Sequence, residues 1–329
     1  MPDPELFTRV GFYRDDIAAL SLRGDPVLAT NSLIELIKFR PKLIVGYFYS
    51  KALLAAFVGR LLGARVLLTG GADQISPVLS SGRRLAVRQA AALLCLLFAH
   101  RILLSCKEDV VNFERLCLGL APLKRKLRLA SHVVTPAPFS DKPQVRRANG
   151  FDAFTLCWMG APQNVRRKGV DKAVELIALL RAADVDARLD VAGADGPGRS
   201  LIELLAAKLG VPDHVRYVGA ISEEEKRMRF STGDVYLQIS EHEGFGVAAA
   251  EAFFSGMTVV HSNRGGLSDV IGAHGLIVQP AEIGRGDAAW AREFYARFLR
   301  FKPDVAFLQE NLKHYSIDAR SKALLADDA

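Results

Sequence analysis

Ser240-Glu241-His242-Glu243-Gly244-Phe245-Gly246-Val247 is the stretch whose residue types and order are best suited to chemistry. The run VYLQIS (235–240) reads as a strand that passes through a glycine-flanked turn into good helix formers, VAAAEAFF (247–254). Backbone N–H groups of Gly244 to Val247 then lie at a helix N-terminus, where they lack intrahelical partners and the dipole favours an anion. Gly244 and Gly246 carry no Cβ, so a ligand can approach the backbone closely. Glu243 stands at the mouth of the turn, and Glu251 follows eight residues later, roughly two helical turns on. A carboxylate beside a phosphate site repels it unless hydroxyls separate the two, and carboxylates accept well from vicinal sugar or ribose hydroxyls. The pattern suits an anion bearing sugars at both ends, a nucleotide-sugar.

Such a turn needs a sheet to hold it. Short apolar or β-branched runs alternate with helical patterns along most of the chain, which argues for parallel, doubly wound sheets. The first half offers PVLAT (26–30), KLIVGYF (42–48), RVLLTG (65–70), RILLS (101–105) and LRLASHVV (127–134) as strands, with TRVGFY (8–13) as an earlier one. The Pro- and charge-rich segment TPAPFSDKPQVRRANGFD (135–152) reads as a linker. Alternation restarts with FTLCWMG (154–160), RLDVAG (188–193), VRYVG (215–219), VYLQIS, TVVHS (258–262) and LIVQP (276–280). Length and pattern together predict two α/β domains, 1–145 and 146–329, with ligands at the carboxyl ends of the strands.

Composition narrows the partners. The chain has 329 residues, of which 50% are hydrophobic and 24% charged, which excludes a disordered protein. Residues up to Arg147 carry a net charge of +11 and the remainder −4, so the first half is expected to meet something anionic. Nucleic acid is not expected, because aromatics are sparse and no binding motif is present. The four cysteines, Cys95, Cys106, Cys117 and Cys157, show no metal-ligand spacing and read as buried thiols. No secretory signal is seen in MPDPELFTRV, and the longest apolar runs, such as AALLCLLFA (91–99), are far shorter than the roughly 18 residues of a spanning helix. A cytoplasmic location is expected, with a peripheral place at the inner membrane face. Segment 83–101, basic at both ends with an apolar middle, reads either as a core helix or as an amphipathic contact with an anionic membrane. Asp184-Val185-Asp186 looks like a metal-binding acidic pair but sits in a helix-to-strand connection, and GADGPG (193–198) reads as a turn.

The segment SEHEGFGVAAAEAFFSGMTVVHSNRGGLSDVIG resembles the E-x7-E signature region of retaining glycosyltransferase family 4. The resemblance continues upstream, in order, through RRKGVDKAVELIALLR, LDVAGADGPGRSLIELLAAKLGV and HVRYVGAISEEEKRMRFSTGDVYLQIS, and so covers residues 154 to 280. It implies the GT-B fold, two doubly wound Rossmann-like domains facing a central cleft, with 1–145 on the acceptor side and 146–329 binding the donor. It implies retaining transfer of a hexosyl unit from a UDP- or GDP-sugar to a saccharide or lipid-linked acceptor, with no cofactor and no metal. By the same resemblance Lys168, assisted by Arg167 or Arg166, neutralises the donor diphosphate and Glu243 hydrogen-bonds the transferred sugar. Gly244, Phe245 and Gly246 bring amides to sugar and phosphate, Glu251 takes the ribose hydroxyls, and Val218 and Gly219 lie against the base.

Three departures favour a rival reading, a non-catalytic nucleotide-sugar-binding or partner subunit. The Gly-Gly loop after the family's first strand has no counterpart near TRVGFYRDD. The family's His after the strand matching RVLLT is absent from Gly70-Gly71-Ala72-Asp73, where Asp73 or the loop amides are the candidates to replace it as a catalytic group. The family's Gly-Arg pair is Gly160-Ala161 here.

Overall fold

The computed structural model describes residues 11–70, 83–118, 125–138 and 149–326. They form two compact units, one running to Val133 and taking back the segment from Lys313, the other Val134–Leu312.

The first unit begins with α1 (Gly11–Ser21), α2 (Leu33–Phe39), β1 (Leu43–Tyr47), α3 (Leu53–Leu61) and β2 (Arg65–Thr69). It continues with α4 (Arg83–Phe98), β3 (Arg101–Leu104), α5 (Lys107–Leu116) and β4 (Leu127–Leu129). The strands pair in parallel in the order β1-β2-β3-β4. Alternate residues of β2 and β3 serve opposite faces: Val66, Leu68, Ile102 and Leu104 join Ala56, Leu96 and Phe113, while Leu67 and Leu103 meet Ala19 and Leu324. A parallel sheet covered on both faces reads as continuous apolar sequence, which is why these strands were legible.

The second unit holds β5 (Gly150–Leu156), α6 (Pro162–Arg167), α7 (Val170–Ala182), β6 (Asp186–Ala192), α8 (Gly198–Lys208) and β7 (Val215–Gly219). Then come α9 (Glu223–Thr232), β8 (Val235–Gln238), α10 (Val247–Phe254), β9 (Thr258–His261), α11 (Gly266–Val270) and β10 (Leu276–Ile277). Three helices follow, α12 (Pro280–Ile283), α13 (Ala288–Arg300) and α14 (Val305–Asn311). All six strands are parallel, in the order β10-β9-β8-β5-β6-β7, around a core that includes Leu176, Ile177, Leu189, Val191, Leu237 and Val260. From β5 the chain winds one way to β7, then returns to β8 and winds the other way. The topological switch therefore lies between β5 and β8, and a crevice opens outside the carboxyl ends of these two strands.

The final helix, α15 (Ile317–Leu325), packs with α1 in the first unit. Its Arg320 is buried and donates to both oxygens of Asp16, at 2.6 and 2.8 Å, and to the Ala130 carbonyl at 3.0 Å. The Tyr47 hydroxyl donates to the same Asp16 at 2.5 Å. Each of these charges is saturated by fixed partners, which makes burying the pair tolerable and joins two chain segments about 300 residues apart, the separation being 304.

Several expectations need correction. Residues 26–30 form no strand, and Val27 and Leu28 are exposed: no neighbouring strand covers their apolar side chains. Within TRVGFY, Gly11 already opens α1, and 8–10 lie outside the described residues. Of LRLASHVV only Leu127–Leu129 pairs as strand. Against the expected 1–145 and 146–329, the chain divides after Val133, and the segment from Lys313 joins the first unit through the contacts of α15. All four cysteines are free and buried.

Candidate functional site

The chain leaves β8 at the switch point through Ile239 and Ser240 and reaches Glu243 before α10 begins. Gly246 supplies the left-handed N-cap of α10, φ 81°, which a side chain adopts only with strain. The turn Glu243-Gly244-Phe245 is backed by Gly265 and Gly266. Gly265 has φ 55°, and a Cβ there would fall 1.8 Å from the Glu243 carbonyl oxygen; one on Gly266 would fall 2.4 Å from the Phe245 Cα. The Gly266 amide instead donates to the Glu243 carbonyl at 2.9 Å. Phe245 is buried, so it anchors the turn from beneath.

On the other side stands the corner between α6 and α7. The Glu241 amide donates to the Arg167 carbonyl at 3.0 Å. Gly169, φ 68°, is pressed so close that a Cβ would lie 1.9 Å from the Ile239 carbonyl oxygen. This corner delivers Lys168, whose Nζ donates to Glu243 Oε2 at 2.5 Å, with the Ser240 hydroxyl 3.4 Å from the same oxygen. The Glu243 side chain is 8% exposed and that of Lys168 24%. Burial pushes the Glu243 carboxyl up, but the Lys168 charge and hydrogen bond, with Arg167 and His242 behind them, outweigh it and hold the group below its usual range. Glu243 is thus an ionised carboxylate with Lys168 on one oxygen, beside the N-terminus of α10.

Glu251 is buried on α10, and Lys226 of α9 reaches it at 2.8 Å while also holding Glu223 at 2.8 Å. Burial lowers the Lys226 ammonium's pKa, but the Glu251 and Glu223 charges raise it further than burial lowers it.

The structure therefore brings Lys168, the Arg167 backbone, Glu243, Gly244, Phe245 and Gly246 together and puts Glu251 on the helix they open. Val218 and Gly219 end the edge strand β7, where the Gly219 carbonyl accepts from the Gly193 amide at 2.9 Å. Asp73 lies outside the described residues. Four features escaped the sequence reading. Lys226 was hidden because its partner is set by packing, not spacing. Gly169 and the pair Gly265-Gly266 carried a signal, glycines flanking apolar segments, but not the identity of what they admit. Trp158, 63% exposed just beyond β5, lies so tightly over Gly160 that a Cβ there would fall 2.1 Å from the ring. An exposed Trp at a switch point is a flat apolar surface where ligands bind. Among the described residues no three His, Cys, Asp or Glu side chains cluster to hold a metal ion, and no helix is long and apolar enough to cross a membrane.

Two open-ended parallel α/β sheets with this crevice define an α/β fold of the GT-B glycosyltransferase kind, and solved structures of that kind match it. A sucrose-phosphate synthase from Thermosynechococcus elongatus is similar with a TM-score of 0.62, 20% identity, and coverage of 86% of this chain and 75% of that one. A trehalose-6-phosphate synthase gives a TM-score of 0.67 at 14% identity, covering 96% and 78%. Residues 160–285, which lie within the second unit, match the family Glycosyl transferases group 1. Among curated relatives, a sulfoquinovosyl transferase of Arabidopsis thaliana is 31% identical over 125 residues, 36% of this chain and 24% of that protein. An α-(1→4)-mannosyltransferase of Mycolicibacterium hassiacum is 34% identical over 128 residues, 37% and 30%. The matches thus span only about a quarter to a third of these relatives' lengths.

Proposed function

We propose that this chain is a retaining, metal-independent glycosyltransferase of family 4, with Glu243 and Glu251 as its E-x7-E pair. It moves a hexosyl unit from a UDP- or GDP-sugar to a saccharide or lipid-linked acceptor. The observation that carries this reading is the Lys168–Glu243 pair seated beside the glycine-flanked N-terminus of α10, at the carboxyl end of the switch-point strands. A cation and the positive end of a helix dipole suit a diphosphate, and a buried ionised carboxylate beside them suits hydroxyl groups.

In this reading Lys168, with Arg167, and the amides of Gly244 to Gly246 stabilise the diphosphate as it departs. The bond from the anomeric carbon to the phosphate oxygen breaks, its electrons going to the diphosphate. The acceptor oxygen bonds to the same face, and its proton passes to the leaving phosphate. Glu243 orients the sugar through its hydroxyls, Glu251 holds the ribose, and Val218 and Gly219 face the base. Each stabilising group of this type contributes about 2.7–4 kcal/mol to lowering the barrier.

The test is turnover of UDP- and GDP-hexoses with candidate acceptors, followed by NMR of the product's anomeric centre. Retained configuration, with Lys168→Ala slowing turnover at least about a hundredfold, supports the reading; an inverted product refutes it. Ala161, where the family carries Arg, favours one alternative, a non-catalytic nucleotide-sugar-binding or partner subunit. Nucleotide binding without turnover of any donor would establish that alternative.

A further inference from the structure

Three successive helices of the first unit carry large apolar side chains on the face turned away from the sheet, besides Leu36, Leu53 and Leu96, which pack on its core. On α3 the inner face is small: Gly59 is buried so closely that a Cβ would lie 2.4 Å from Ile44 Cδ1, and Ala56 is buried beside it. The outer face carries Leu54, Phe57 and Leu61 at i, i+3 and i+7, with Leu54 58% and Leu61 72% exposed. This inverts the usual arrangement, in which a helix on a sheet buries its large residues.

The neighbours extend the same face. On α4, which packs with α3, Ala92, Cys95 and Leu96 are buried while Val87, Ala90, Leu94 and Leu97 follow one another at helical spacing on the exposed side. The Phe57 and Phe98 rings meet edge to face, 5.3 Å apart, across this helix pair. On α2, which also packs with α3, Ile34 and Ile37 are exposed one turn apart. Scattered exposed apolar residues need no explanation, but aligned stripes on adjoining helices do.

Charge says what covers this face. Residues 33–101 hold ten Lys and Arg against two acidic residues, Glu35 and Asp73. Lys38 and Arg60 lie within the apolar segments of α2 and α3, and Arg40 and Lys42 follow α2 directly. Among the described residues, Lys38, Arg40 and Lys42 have no carboxylate partner. A second copy of the chain would bring like charge against like charge, and nucleic acid gains nothing from the aliphatic stripes. An anionic bilayer takes both: aliphatic side chains enter the acyl boundary, and long basic side chains reach back to lipid phosphates.

We propose that the α2–α3–α4 face docks peripherally on an anionic phospholipid bilayer. The proposal rests on the first unit alone and stands or falls independently of the site in the second. The test is co-sedimentation of the full chain with phosphatidylcholine vesicles, with and without about one third phosphatidylglycerol. The expected result is partition into the phosphatidylglycerol vesicles at least about tenfold stronger than into phosphatidylcholine, and weakened by salt. Lys38→Gln with Arg40→Gln should weaken binding about 25-fold, at about fivefold per basic residue. Leu54→Gln with Leu97→Gln, both exposed and so neutral to folding, should weaken it at least about tenfold. Equal binding to both vesicles, binding to neither, or variants that bind like the parent would overturn the proposal. So would a dimer in sedimentation velocity that the leucine variant dissolves, since a second copy would then be the occupant.

Discussion

Replacing Lys168 by Met separates electrostatics from packing at the centre of the site, because the stem is kept and only the charge is lost. The lost contact is a charge-assisted hydrogen bond of 2.5 Å to a carboxylate whose side chain is 8% exposed. Breaking a fully buried pair costs about 3–5 kcal/mol, but Lys168 is 24% exposed and water screens part of the attraction. The expected loss is about 1.5–3 kcal/mol near pH 7.5. The pH dependence is the sharper signature. In the parent the Glu243 carboxyl is held below its ordinary value, so the pair's contribution is present above that value and is lost as pH falls below it. Without Lys168, burial leads and the carboxyl rises, so acidification neutralises Glu243 earlier and relieves the variant. The stability gap should therefore be widest near pH 7.5 and close towards pH 4. Urea unfolding followed by tryptophan fluorescence measures it, since both tryptophans, Trp158 and Trp290, belong to the second unit. A gap below about 0.5 kcal/mol, or one that is the same at both pH values, would refute the reasoning.

Other consequences are equally accessible. Glu251→Ala should weaken nucleotide binding by about 1.5–3 kcal/mol through loss of charge-assisted hydrogen bonds, and calorimetry with an unchanged affinity would remove Glu251 from the site. Gly265→Ala puts a Cβ into the Glu243 carbonyl at a φ of 55° and should destabilise the second unit by about 2–4 kcal/mol; denaturant unfolding indistinguishable from the parent would contradict the geometry. His261 is fully buried, and its Nδ1 accepts from the Asn263 amide while Nε2 faces the Gly272 carbonyl, so only the neutral ring fits. Burial lowers its pKa from 6.5 to about 4, so the unfolded chain takes up the proton first as pH falls. The second unit should lose up to about 3 kcal/mol between the two values and gain nothing above the upper one, and His261→Gln should flatten that slope.

Legibility in the sequence followed burial. β8 and β9 were bounded to within two residues because strands covered on both faces leave continuous apolar runs ended by polar turns, whereas the half-exposed edge strand Val215–Gly219 was bounded to the residue by its β-branched and aromatic composition. PVLAT misled for the converse reason: its composition is strand-like, yet strand propensity expresses packing in a sheet, and Val27 and Leu28 stay exposed outside both sheets. The glycine turn after β8 was readable because backbone requirements are written directly into residue type. The Lys226–Glu251 and Arg320–Asp16 pairs were not, since which charges meet depends on helix packing and on a C-terminal segment that returns to the first unit. The outward stripes of α3 show the same limit: helical period alone does not say that the small side, Ala56 and Gly59, faces the sheet.

The central claim is that the turn before α10, with Lys168, receives a nucleoside diphosphate. Isothermal titration of the full chain with UDP and GDP tests it most directly. The account predicts micromolar binding of one of the two, about −8 kcal/mol, reduced at least about tenfold in Lys168→Ala. Binding of neither at millimolar concentration, or equal binding by the parent and Lys168→Ala, would contradict it.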